Sequence, residues 1–299
     1  MLIIRNGVRV RPDMKKKISV ISAALFAVLT FAVLPAAAET AEHIVSLSPS
    51  ATEILCAVGA FKQIAARTDF CDYPSEVRSL PSVGGFDGKT LSIEKIVSFH
   101  PDLVYATSGM HDYLIDVLKR YGIRVYISNA SSIDDVLHEI NDIGRITGHP
   151  DTAAAVQNHI QRVLTEIQSR IRNVKIPSVY WEIWNSPYMS AGNTSFMNGL
   201  LTAAGGKNIF ADIDQAYPLV SEETIIVRNP DVVIIPDMEK ETVSSVQNRP
   251  GWKAVSAVQK GHIICINADI TARSGPRIAE AVLLLAKALH PDVSFEGIR

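Results

Sequence analysis

Between Pro150 and Val174 the apolar side chains Val156, Ile160, Val163, Ile167, Ile171 and Val174 recur at steps of three and four residues. On a 3.6-residue period those steps keep them in one narrow stripe, the pattern of an amphipathic helix. Pro150 suits a first helical position and Asp151 the positive end of the dipole. Arg170, Arg172 and Lys175 gather at the negative end before Pro177 stops the run. Such a helix is roughly 36 Å long at 1.5 Å per residue.

Shorter β-branched and helical patterns alternate on either side of it. Before it come a strand at His43–Leu47, a helix at Ala51–Val58 closed by Gly59, and a short strand at Gln63–Ala66. An irregular Gly-, Pro- and aromatic-rich stretch follows from Arg67 to Thr90, then helix Ser92–Phe99, strand Asp102–Ala106, helix Asp112–Tyr121, strand Arg124–Ile127 and helix Ile133–Thr147. After it come strand Ser178–Trp184, helix Ser195–Ala204 with Gly205-Gly206, helix Glu222–Arg228, strand Asp231–Ile235, helix Trp252–Val258, strand His262–Asn267 and helix Pro276–Leu289. Strands alternating with helices predict parallel α/β sheets.

The two series share a register. Glu94-x6-Pro101-Asp102-Leu103-Val104 in the first matches Glu223-x6-Pro230-Asp231-Val232-Val233 in the second, and ATEILCAVGA resembles TSFMNGLLTAAGG. Two similar lobes follow, with the long helix as their connector. The expected organisation is an N-terminal segment 1–38, an α/β lobe 39–149, a connecting helix 150–175 and a second α/β lobe 176–299. The fold class is α/β, two Rossmann-like lobes joined by one long rigid helix.

Composition narrows the functional classes. The 299 residues are 47% hydrophobic, enough to build sizeable cores, and the net charge is -2. With no basic run outside the N-terminus, nucleic acid is not an expected partner. From Met14 the chain reads MKKKISVISAALFAVLTFAVLPAAAET: a basic start, an apolar run from Ile18 to Leu34, and a small-residue cleavage site at Ala36-Ala37-Ala38. This is the pattern of a secretory signal cut near Ala38, with residues 1–13 as an upstream extension, and it predicts a periplasmic protein. Cys56 and Cys265 sit in apolar patterns and read as small buried residues, while Cys71 lies in the polar loop Thr68–Pro74.

Several chemical motifs can be set aside. GGFDGKT, Gly84–Thr90, has Val83 where a phosphate-binding loop needs its first glycine, and no GxGxxG opens a helix. The eight histidines are dispersed, so no metal set is predicted. His100, His138, His149, His159 and His290 are expected to be exposed, and His111, in a polar loop, is the one to watch. Ser48 and Ser50 open a helix without a G-x-S-x-G, which leaves an exported serine hydrolase as a distant alternative. What the loops do hold is rings and a few polar groups: Phe70, Tyr73 and Phe86, then Trp184, Tyr188 and Tyr217, then Asp269, Arg273 and Arg277. Loops after parallel strands are where α/β sheets bind ligands, and flat rings there can stack on a large planar molecule.

The segments SLSPSATEILCAVGA, RTDFCDYPSEVRSLPSVGGF, IEKIVSFHPDLV, GLLTAAGGKNIF, YPLVSEETIIVRNPDVVI and SGPRIAEAV resemble, across His43 to Pro291, the helical-backbone (class III) periplasmic substrate-binding proteins of ABC importers. That family carries vitamin B12, iron-siderophores or haem between two lobes. Among its members the chain looks most like the vitamin B12 binders. The resemblance implies a monomeric, cofactor-free, non-enzymatic receptor for a corrinoid or similar tetrapyrrole, serving a permease dimer with its ATPase subunits. A haem or ferric-siderophore receptor is the alternative. It implies ligand contacts from Ser50, Tyr73, Phe86, the Trp184–Tyr188 loop, Tyr217, Asp269 and Arg273, and permease contacts from Glu94 and Glu223. Phe86 stands where the B12 binders carry Trp.

Overall fold

The computed structural model describes residues 40–85, 89–237 and 242–298. The expected signal segment and its cleavage point near Ala38 lie outside the described residues.

In the first half, β1 (Ile44–Ser46), β2 (Ile64–Arg67), β3 (Leu103–Thr107) and β4 (Arg124–Ser128) form a parallel sheet ordered β2-β1-β3-β4. Its helices are α1 (Pro49–Ala57), α2 (Ile93–Ser98), α3 (Asp112–Arg120) and α4 (Ile133–Ile146). The long α5 (Pro150–Ile171) follows. In the second half, β5 (Ser178–Asn185), β6 (Tyr188–Ser190), β7 (Lys207–Asn208), β8 (Val232–Pro236) and β9 (Ile263–Ile266) form one sheet. Its parallel part, β7-β5-β8-β9, repeats the order of the first sheet, and β6 adds antiparallel to the far end of β5. Helices α6 (Phe196–Ala203), α7 (Glu222–Arg228), α8 (Val243–Gln247), α9 (Ser256–Gln259), α10 (Ala268–Ala272) and α11 (Ile278–Leu289) complete it.

Alternation along the strands sorts residues into separate cores, as a sheet covered on both faces requires. Val45, Val104 and Ala106 face one core with α3, and Tyr180, Val233 and Ile235 face another with Trp252. The opposite faces, with Ile44, Leu103 and Tyr105 in one sheet and Val179, Trp181, Val232 and Ile234 in the other, enter a single core that also takes Ile160, Val163 and Ile167 of α5. The helix therefore packs along both sheets, against α4 and α11. Gly144 of α4 permits the closest approach, since a Cβ there would lie 2.3 Å from Cβ of Ala153. Polar side chains pin the two ends: Gln157 Nε2 donates to the Leu137 carbonyl (2.6 Å) and Arg170 Nη1 to that of Ser294 (2.8 Å). The helix stops at Ile171, one turn before Val174, in a turn closed by the Val174 N–H on the Ile171 carbonyl.

The repeated Pro-Asp pairs have a shared structural cause. Asp102 Oδ2 accepts from the backbone N–H groups of Glu42 and His43 at the entry to β1, and Asp231 Oδ2 accepts from the N–H and hydroxyl of Ser178 at the entry to β5. Each aspartate ties the start of its own strand to the start of the neighbouring one. The residue before each proline, His100 or Asn229, takes the left-handed conformation (φ 48° and 45°) that turns the chain out of the preceding helix.

Three expectations are corrected. Cys265 is exposed, because β9 is an edge strand and the residue points away from its core. His290 is buried, its Nε2 3.1 Å from the Ala204 carbonyl. The predicted helix Trp252–Val258 is a 3-10 turn, Trp252–Ala254, followed by α9, since the wholly buried Trp252 anchors the segment and Val255 is extended.

Ile160→Ala should cost about 2–5 kcal/mol in urea unfolding, because the side chain is fully buried in the core common to both sheets. The hydrogen bond from the Ser178 N–H holds the Asp231 carboxyl below its ordinary pKa. Its stabilisation is therefore complete above the unfolded value of about 3.9 and is lost as pH falls through the lower native one. Asp231→Ala should cost about 1–2 kcal/mol at neutral pH and progressively less in acid, read from urea midpoints across that range.

Candidate functional site

In doubly wound sheets the chain reverses its winding between two central strands and leaves a crevice at their carboxyl ends. Here the reversals fall between β1 and β3 and between β5 and β8. After β1, Ser48 caps α1 by accepting from the Ala51 N–H (3.3 Å), and Pro49 opens the helix. That places Ser50, half-buried, in the first turn of α1, beside the loop that follows α10. A Cβ on Gly275 would lie 3.8 Å from the Ser50 Cα.

An ionic cluster joins the two halves at this point. Glu53, buried one turn further along α1, takes Arg273 Nη1 at 2.9 Å and Arg277 Nε and Nη2 at 2.8 and 2.7 Å. Arg273 also reaches Asp72 Oδ1 (2.8 Å) and Asp269 Oδ1 (2.8 Å), and Arg78 stands 3.5 Å from Asp72. Arg277 lies over the Tyr73 ring, 4.3 Å from its centroid, as a cation–π contact. Burial pushes the Asp72 carboxyl up, but the hydrogen bond and charge of Arg273 and the charge of Arg78 outweigh it, and the group sits below its usual range.

Of the rings, Tyr73, Trp184 and Tyr217 stand about half-exposed, and Phe70 likewise. The Trp184 indole donates to the Ser186 carbonyl (3.0 Å), which fixes its plane on the hairpin between β5 and β6. Tyr217 precedes the segment that runs beside β6, where the Ser190 N–H meets the Pro218 carbonyl. Tyr188 is placed differently. Its ring packs near Trp252 and under Arg249, and its hydroxyl donates to Glu222 (3.3 Å). Arg249 in turn forms a two-pronged, nearly buried pair with Glu182 at 2.6 and 2.7 Å. Phe86 lies outside the described residues.

The structure thus brings Ser50, Tyr73, Asp269 and Arg273 to one place and sets Trp184 and Tyr217 on neighbouring segments of the second lobe. Glu53 and Asp72 are the members that sequence reasoning missed. A signal existed for Glu53: a lone carboxylate inside the apolar helix pattern ATEILC must find a cation once buried. Cys71 is buried, its Sγ 3.2 Å from the Thr68 hydroxyl, and His111 is buried with Nδ1 accepting from the Thr107 N–H (3.0 Å). Among the described residues no group of His, Cys, Asp and Glu is arranged to hold a metal ion.

Glu94 and Glu223 occupy matching positions, second in α2 and α7, behind the N-capping serines Ser92 and Ser221. Both are exposed. Their own backbone N–H groups, and then the capping hydroxyls, lower both carboxyl pKa values.

Two doubly wound lobes, a rigid connecting helix and half-exposed rings at the strand ends define a two-lobed receptor. Residues 44–270 match the profile of the family described as periplasmic binding proteins, and the chain belongs to that family. It is 31% identical over 259 residues to an uncharacterised ABC transporter substrate-binding lipoprotein, YvrC of Bacillus subtilis (strain 168), with 84% of this chain and 81% of the relative covered. The crystal structure of the periplasmic vitamin B12-binding protein BtuF of Vibrio cholerae superposes with a TM-score of 0.72 at 26% identity, over 84% of this chain and 97% of the other. The periplasmic heme-binding protein RhuT from Roseiflexus sp. RS-1 shares the fold, with a TM-score of 0.75 at 23% identity over 84% and 98%. The chain is a substrate-binding protein of an ABC importer, a family of transport receptors and not of enzymes.

Glu53→Ala would leave Arg273 and Arg277 buried without their shared partner. The expected loss is about 3–5 kcal/mol in urea unfolding, well above that of an exposed ion pair such as Arg145–Asp142.

Proposed function

We infer that the protein is an exported receptor for a corrinoid, cobalamin above all, which it hands to its importer unchanged. The observation that carries this reading is where the rings lie. Trp252, Tyr105, Tyr180 and Phe210 are fully buried, whereas Tyr73 in the first lobe and Trp184 and Tyr217 in the second stand half-exposed at the carboxyl ends of the strands. Exposed rings on two facing lobes suit a broad flat ligand, which they can stack on at either face or edge. The B12-binding function of the Vibrio cholerae neighbour supports the same reading. Asp269 and Ser50 add polar contacts at the mouth.

The remaining roles follow. Residues 1–38 act as the export segment, cleaved near Ala38, and leave lobes 39–149 and 176–299 on either side of the helix. Glu94 and Glu223, equivalent charges on equivalent helices, engage basic side chains on the two halves of the permease dimer. Because one continuous helix links the lobes, ligand binding changes their separation little.

Tyr73→Ala with Tyr217→Ala should weaken cyanocobalamin binding by on the order of tenfold or more, followed by visible absorption or calorimetry. A change below about twofold would remove the rings from the site. Glu94→Lys with Glu223→Lys should abolish uptake in cells while the purified protein keeps its ligand affinity; uptake that survives the double substitution would end the docking role.

A further inference from the structure

The ionic cluster between the lobes is layered by charge. Its centre is Glu53, whose side chain is 1% exposed, and around it Arg273 and Arg277 are 13% and 14% exposed. The outer members are carboxylates, Asp72 at 36% and Asp269 at 60%. Positive charge is therefore turned inward and negative charge outward. Each guanidinium has at least two of its nitrogens engaged within the cluster. Arg273 gives Nη1 to Glu53 and Asp72 and Nη2 to Asp269, Arg277 gives Nε and Nη2 to Glu53, and Tyr73 covers one face of Arg277.

A ligand carboxylate binds best to an arginine whose two-pronged face is open. Glu53 fills the Nε–Nη2 fork of Arg277, and Glu53, Asp72 and Asp269 together take both terminal nitrogens of Arg273, so neither arginine presents a fully open fork. Two of the three carboxylates, Asp72 and Asp269, lie outside the two guanidiniums, so the exposed edge of the cluster is acidic. Arg78, 67% exposed, stands 3.5 Å from Asp72 and offsets part of the charge there, leaving Asp269 as the more exposed acid of the edge. What the rim presents is acceptor oxygen, suited to N–H donors such as primary amides.

We propose that Glu53 is a specificity residue: by holding Arg273 and Arg277 between the lobes it leaves the ligand a carboxylate rim, which accepts ligands edged with amides or positive charge and rejects those edged with carboxylates. The proposal rests on the reading that a tetrapyrrole-like ligand lies against Tyr73. Discrimination arises from repulsion of the wrong ligand as much as from attraction of the right one. Glu53→Gln keeps the shape of the side chain but only one of its two acceptor oxygens, and it raises the net charge of the cluster by one unit.

The test uses the mature protein and two forms of one corrin: cyanocobalamin, and its tricarboxylic derivative in which peripheral amides have been hydrolysed. The wild type should prefer the amide form by on the order of tenfold at neutral pH and low salt, and Glu53→Gln should narrow that preference by about threefold or more. Asp269→Asn, at an exposed position that does not endanger folding, should narrow it as well. Equal binding of the two corrins by the wild type, or a preference unchanged in both variants, would overturn the proposal. If the wild type binds neither corrin, the corrinoid reading fails, and haemin against its dimethyl ester then judges the charge rule alone. Tighter binding of the ester sustains it. Tighter or equal binding of haemin, or binding of neither form, overturns it.

Discussion

One apolar core runs from the first sheet through the long helix into the second, and the lobes cannot part without exposing it. Ile160, Val163 and Ile167 are buried in the core that both sheets enter, and their helix packs on α4 of one half and α11 of the other, so it is a structural member of each lobe and not a tether between them. Each such side chain loses about 2–5 kcal/mol of stabilisation when truncated, and a hinge motion would uncover several together. On the proposed reading the cleft at the strand ends is therefore preformed. A preformed site meets its ligand with little ordering cost, which shifts the burden of selection onto the shape and charge already present.

The Glu53 cluster is a second tie across the same gap, and its energetics differ in kind. Burying charges costs several kcal/mol per ion before their attraction returns anything, so a buried ion pair is a poor device for stability alone. An apolar contact at Glu53 would join the lobes at less risk. The presence of a carboxylate there makes sense through what it does to its neighbours: it fixes the position of Arg273 and of Arg277, which lies over the Tyr73 ring.

Local pattern made much of the fold legible. The α7 limits, Glu222–Arg228, and the start of α5 at Pro150 agree with capping residues and apolar period alone. The Glu-x6-Pro-Asp register marks two like lobes, because Asp102 and Asp231 perform the same local task at strand entries. Burial was less legible. Cys265 sits in an apolar tetrapeptide but on an edge strand, and His290 follows a helix but packs beneath Ala204; both depend on which element lies alongside. The candidate site was legible only as residue types at loop positions. Its pairing was not: Glu53 and Arg273 are 220 residues apart, and no local period links them.

What the chain repeats and what it leaves single divide along the same line as its two tasks. The capping serine, the exposed glutamate behind it, the left-handed residue and the Pro-Asp clasp all occur twice, at equivalent places in the two lobes. A partner built from two like halves would see the same features from each side, which is the arrangement the proposed docking role requires. The cleft has no such symmetry. Glu53 has no counterpart in the second lobe, where the matching helix α6 is PheMetAsnGlyLeuLeuThrAla and carries no acid. Arg273 and Arg277 come from one lobe only, and the Arg249–Glu182 pair stays within it. A duplicated scaffold can keep its outer surfaces alike while its facing inner edges diverge, because the core that fixes lobe spacing lies between the two and is indifferent to both.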